Sequence, residues 1–211
     1  MRSVCAARPI ATTLALLNWA ALLLQLWLAL QAGRVQGQSV SLTLTNFFSF
    51  FTILTNLFAA GILTWTALAP KNPPPGLRTS AAVYMAVVGL GYSLFLRHLW
   101  QPQGLQKLVD VLLHDVHPVA YIVFWLSFFR KGIALSWQSA FRWLIWPLIY
   151  LLYSIARGSR IGWYPYPFLN PHLVPLPRII STIAGFMGTF LVLGLVVVAL
   201  TRKDSLQTPS S

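Results

Sequence analysis

The sequence predicts an all-α, polytopic membrane protein, a bundle of six transmembrane helices forming a single domain over residues 1–211. Three observations predict it. Hydrophobic residues make up 57% of the chain and charged residues only 9%, whereas a soluble domain carries about a quarter of its residues as charges. Mean hydropathy is +0.69. Six apolar runs meet or approach the roughly 20 residues that a helix needs to cross a bilayer. They cover about 10–30, 47–68, 81–97, 109–129, 140–157 and 179–200. An ordinary soluble globule, a disordered tail and a coiled coil are excluded. The charge of +12 comes from basic residues scattered between apolar runs. Nucleic-acid binders cluster theirs on a soluble fold, so no nucleic-acid partner is expected. With Cys5 as the single cysteine, an intramolecular disulfide and a Cys-based zinc cluster are excluded.

The first run follows Arg2 and Arg8, as a signal peptide would. Its length of about 21 residues exceeds the roughly 7–15 of a signal core, so it reads as a retained helix. The second run is rich in Phe, Leu and Ile, and the third is short. The fourth begins among polar residues, and the fifth is bounded by Arg142 and Arg157. The sixth leads into a short polar tail, 201–211, expected to fray. No run repeats another. The segment 70–80 (PKNPPPGLRTS) reads as a stiff polar turn, and 130–139 as a second turn on the same side. Six spans put both termini on one side. That side holds nine basic residues and the other holds six, which predicts a multi-pass protein of the cell membrane with both termini cytoplasmic.

Polar residues inside membrane helices are costly, so they mark candidate sites. Three groups fall at the outer ends of the predicted helices. In the second run, Thr45, Ser49, Thr52 and Asn56 share a sector of roughly 60° at helical spacing. Ordinary helix packing is the plainer explanation of such a stripe taken alone. In the fourth run, Lys107, Asp110, His114 and His117 oppose an apolar face. Asp110 and His114 are spaced i, i+4, so the carboxylate reaches the imidazole. A solvated stretch at headgroup level is the plainer alternative. The third group lies between the fifth and sixth runs, where five prolines and Trp163, Tyr164 and Tyr166 rule out a regular helix. It reads as an interfacial anchor, or as a cap in which Arg157 or Arg160 receives an anion. At 1.5 Å per residue, Thr52 and His114 are expected at matching depths of about 8–9 Å. A hydroxyl beside an Asp-supported imidazole makes a nucleophile, base and orienter set.

The set FFTILTN, LLHDVHP and GWYPYPFLN, spread over six spans, resembles the Pr6Pr family of bacterial integral membrane proteins. It is more distantly similar to the androgen-induced-gene family of eukaryotic six-span proteins. Those are threonine hydrolases that cleave fatty acid esters of hydroxy fatty acids. The resemblance runs from about residue 10 to 200. It implies that Thr52 matches the catalytic threonine and that His114 or His117 matches the catalytic histidine. The eukaryotic proteins carry an acid three residues after that threonine, where this chain has Thr55 followed by Asn56.

The leading expectation is an integral membrane protein acting as an intramembrane hydrolase of lipid esters, with membrane lipids and a lipid-like substrate as partners and no cofactor. Thr52 attacks the carbonyl, His114 moves the proton and Asp110 holds the imidazole. Asn56 or His117 donates to the oxyanion. Arg157, Arg160 and Tyr164 are the candidates for binding the rest of the substrate. One alternative is a non-enzymatic transporter, receptor or structural component. The other is a metal-dependent hydrolase, in which His114 and His117 join Asp110 or Asp115 and His98 or His172.

Overall fold

The computed structural model describes residues 2–131 and 133–206, with side chains described over 7–131 and 133–202. It is all-helical among the described residues, and six helical segments are long and apolar enough to cross a membrane. Helix α1 spans Arg2–Val35, and α2 spans Val40–Phe47. Ser39 caps α2 through its side chain, which accepts from the Leu42 amide at 3.1 Å. Helix α3, Phe51–Leu68, and α4, Pro75–Gly91, form the centre of the bundle. Of their most apolar stretches 56% and 61% are buried, against 22% for α1 and 17% for the last span, which are peripheral. The fourth span is α5, Gly104–Val111, running through a π-helical segment into α6, His117–Phe128. The fifth is α7, Trp137–Arg142, followed by α8, Ile145–Ile161. Gly162, at φ 69°, takes the left-handed conformation that closes α8, a conformation glycine adopts without steric cost. Helix α9, Leu176–Leu206, completes the chain.

Several boundaries differ from those expected. The second run is two helices. The ladder breaks at Phe48–Phe50, so Thr45 lies on α2, Ser49 in the turn and Thr52 on α3. The expected three-turn polar stripe is therefore not one helical face. Helix α4 begins at Pro75, taking in residues expected to be a turn. Proline suits a first helical position, where its missing N–H costs no bond. The polar tail is helical as far as Leu206, and 207–211 lie outside the described residues.

Apolar packing joins α1, α3, α4 and α6 at the termini-bearing end around Ala11, Met85, Tyr121 and Trp125. A second cluster joins α3 and α4 to α7, α8 and α9 around Tyr84, Trp143 and Phe190. Side-chain hydrogen bonds cross between the helices: Trp125 Nε1 to Thr79 Oγ1 at 3.0 Å, Tyr84 to the Trp143 carbonyl at 2.8 Å, and Asn18 to the Asn56 carbonyl at 3.2 Å. Small and hydroxylic residues serve this purpose where helix surfaces are apolar on every side.

Candidate functional site

Two π-helical segments face each other at the end of the bundle away from the termini. One, Leu112–Val116, lies just before Pro118. Proline has no N–H, so the His114 carbonyl loses its i+4 donor and the local ladder widens. Gly89 of α4 packs against that carbonyl, where a Cβ would stand only 3.3 Å away. The other, Tyr92–Leu96, extends α4.

The two segments bring Tyr92 onto His114. Their rings stack with centroids 3.9 Å apart and planes 15° from parallel. The Tyr92 hydroxyl donates to Asp110 Oδ2 at 2.5 Å. His114 Nδ1 lies 3.1 Å from Asp110 Oδ1 and 3.0 Å from the Asp110 carbonyl. A proton on Nδ1 satisfies both acceptors and leaves Nε2 as the free ring nitrogen. Asp110 is buried between its two partners. Asp115 faces away and pairs with Arg97, whose guanidinium lies 5.0 Å from the Tyr92 ring centroid.

Tyr92 also lines an apolar cavity of about 100 Å³ between α3, α4, α8, α9 and the proline-rich loop. Thr52, Tyr150, Tyr166, Phe186 and Phe190 form other parts of its wall. Thr52 is buried at the start of α3, one residue in from Phe51 rather than about 9 Å along one continuous helix as expected, because the chain turns just before it. Its backbone N–H donates to the Tyr166 hydroxyl at 3.4 Å. Tyr150 donates to the Ser49 carbonyl at 2.8 Å, tying α8 to the turn that precedes Thr52. Tyr166 stacks on Phe168, which stacks on Phe186, so the loop closes one side of the cavity. Burial pushes the Tyr166 phenol above its ordinary value.

Asn56 connects the two halves of the site. Its side-chain nitrogen donates to the Thr52 carbonyl at 2.9 Å and to the Leu113 carbonyl at 3.2 Å. One amide thus holds the turn bearing Thr52 against the turn bearing His114. No hydrogen bond joins Thr52 to His114 among the described residues. The structure puts His117 elsewhere: it is buried beside a void of about 10 Å³ with Asn18 and Tyr121, and neither ring nitrogen has a partner. Arg157 donates to Asn46 Oδ1 at 2.6 Å and lies 4.5 Å from the Trp163 ring centroid, clamping the loop to α2. Tyr164 packs on Gly158, where any Cβ would overlap its ring. Arg160 is exposed. Among the described residues, no three His, Cys, Asp or Glu side chains converge as a metal site would require.

Tyr92 and Tyr150 were not singled out by the sequence, and Tyr166 was read only as part of the aromatic, proline-rich loop. A tyrosine in an apolar run reads as packing. The one signal for Tyr92 was its place behind Gly89 and Gly91, five residues before Arg97. No family model, curated protein or solved structure matches the chain. The class that fold and site define is a six-span integral membrane protein with a polar cluster beside an apolar cavity.

Proposed function

We propose that this protein is an intramembrane hydrolase of lipid esters, as its resemblance to the Pr6Pr and androgen-induced-gene families implies. The observation that carries the reading is the position of Tyr92. It shares the apolar cavity with Thr52 and stacks on the imidazole that Asp110 supports. The cavity suits an acyl chain, since its wall is aliphatic and aromatic with hydroxyls at a few points.

The Thr52 hydroxyl attacks the ester carbonyl, and His114 Nε2 takes its proton. The tetrahedral intermediate collapses, the C–O bond of the ester breaks, and His114 returns the proton to the departing alcohol. Water, deprotonated by the same nitrogen, cleaves the acyl-threonine to release the acid and restore Thr52. Asp110 keeps Nδ1 protonated and stabilises the imidazolium. Asn56 spends its amide donors on two carbonyls, so in this reading it acts as a positioning residue rather than an oxyanion donor.

Lipid binding without turnover is the second reading, favoured by the absence of a hydrogen bond between Thr52 and His114 among the described residues. Labelling of the purified protein with a long-chain fluorophosphonate separates the two. The wild type is expected to label, and Thr52→Ala and His114→Ala are expected not to. Acyl-chain binding with no labelling in the wild type, or equal labelling in Thr52→Ala, overturns the hydrolase.

A further inference from the structure

Arg78 lies far from this site, in the first turn of α4 at the termini-bearing end. It is only 9% exposed. Its guanidinium carbon sits 4.3 Å from the Phe129 ring centroid, so one face of the cation meets an aromatic ring. That ring accepts none of the five in-plane N–H groups. Nε is buried without a partner, and no carboxylate reaches the group among the described residues. Tyr121 donates to the Arg78 backbone carbonyl and leaves the side chain unsatisfied.

An arginine stays charged in any protein environment, and a buried charge without a counter-ion is strongly disfavoured. The chain has three acids to neutralise fifteen basic residues. Asp110 and Asp115 are engaged at the opposite end of the bundle. The side chain of Asp204 lies outside the described ones. The neighbouring chain adds positive charge: Arg8 reaches the Ala69 carbonyl at 2.9 Å, and Lys71, Arg130 and Lys131 occupy the adjoining connections. These cations raise the demand for an anion at Arg78.

We infer that Arg78 is the centre of a phosphate-binding site that seats the headgroup of an anionic phospholipid. A guanidinium fork matches two phosphate oxygens. The N-terminus of α4 adds its positive dipole end on the same side. Arg78 stands three residues inside the apolar span that starts at Pro75, or about 4.5 Å along the helix. A phosphate carried by a lipid reaches that level, and basic groups at a membrane surface concentrate anionic lipids.

The test uses the full-length protein, purified in detergent and returned to nanodiscs of phosphatidylcholine with or without phosphatidylglycerol. Native mass spectrometry is expected to retain phosphatidylglycerol on the wild type. Its unfolding midpoint should rise by several degrees in the anionic discs. Arg78→Gln should lose both effects. Arg78→Lys keeps the charge but loses the fork, and should weaken lipid retention about tenfold, which keeps the test decisive if Arg78→Gln does not fold. Equal responses in wild type and Arg78→Lys overturn the site. Inorganic phosphate reproducing the full shift in detergent overturns the lipid as its source. Loss of the Arg78-dependent stability in Asp204→Asn, with lipid retention unchanged, identifies an internal ion pair and also overturns it.

Discussion

Removing the Tyr92 hydroxyl separates the two things that residue does. In Tyr92→Phe the ring still lines the cavity and still stacks on His114, but Asp110 loses the donor at 2.5 Å. A hydrogen bond to a charged group is worth about 1.5–3 kcal/mol. If the Asp110–His114 pair works as proposed, the mutant folds normally and its fluorophosphonate labelling slows about tenfold or more. An unchanged rate would confine Tyr92 to packing. Asp110→Asn should be slower still, because His114 then loses its charge partner. His117 calls for the opposite expectation. Both its ring nitrogens are buried without partners beside a void with room for about one water. An orphaned buried polar atom costs about 1–3 kcal/mol, and an apolar side chain of similar size removes that cost. His117→Leu is therefore expected to unfold at or above the wild-type midpoint in a thermal melt. A fall of several degrees would mean that the histidine is anchored through water to Asn18.

The proline-rich loop is held by its aromatic residues rather than by backbone ladders, so its stability should depend on their protonation. Burial raises the Tyr166 phenol, meaning that the folded state holds that proton more tightly than the unfolded chain does. This contribution is fully present below the ordinary tyrosine value of about 10 and is lost as pH rises through the higher folded value. Melting midpoints taken from pH 9 to 11 should fall for the wild type and fall less steeply for Tyr166→Phe. Parallel slopes would show that other groups govern alkaline stability. The number and order of the spans were legible in the sequence because hydropathy reports length directly. The Asp110–His114 contact was legible because i, i+4 spacing brings the two side chains together on a helix, even one about to widen. The break at Phe48–Phe50 was hidden, since those residues are as apolar as the helix on either side, apart from Ser49. The widening at Leu112–Val116 was legible only in part: Pro118 marks where the His114 carbonyl loses its donor, but the close approach of the next helix at Gly89 is not written in a single-chain pattern.

Across the whole molecule the two ends differ in charge. The cavity and the Asp110–His114 pair lie at one end with six basic residues and two acids, while the termini-bearing end carries nine basic residues. Basic residues accumulate on the cytoplasmic side of membrane proteins. The termini-bearing end, with Arg78, is thus expected in the cytoplasm, and the cavity is expected to meet the outer leaflet. Replacing Cys5 with Ser gives a background free of thiols. Gln36, between α1 and α2, and Pro75, at the start of α4, are exposed on opposite ends of the bundle. In this background, Gln36→Cys should react with a membrane-impermeant maleimide on intact cells, whereas Pro75→Cys should react only after permeabilisation. The reverse pattern would invert the protein and bring lipid substrates from the inner leaflet. Labelling of both positions from outside would break the six-span arrangement itself, because one crossing, α3, lies between these two connections and must put them on opposite sides.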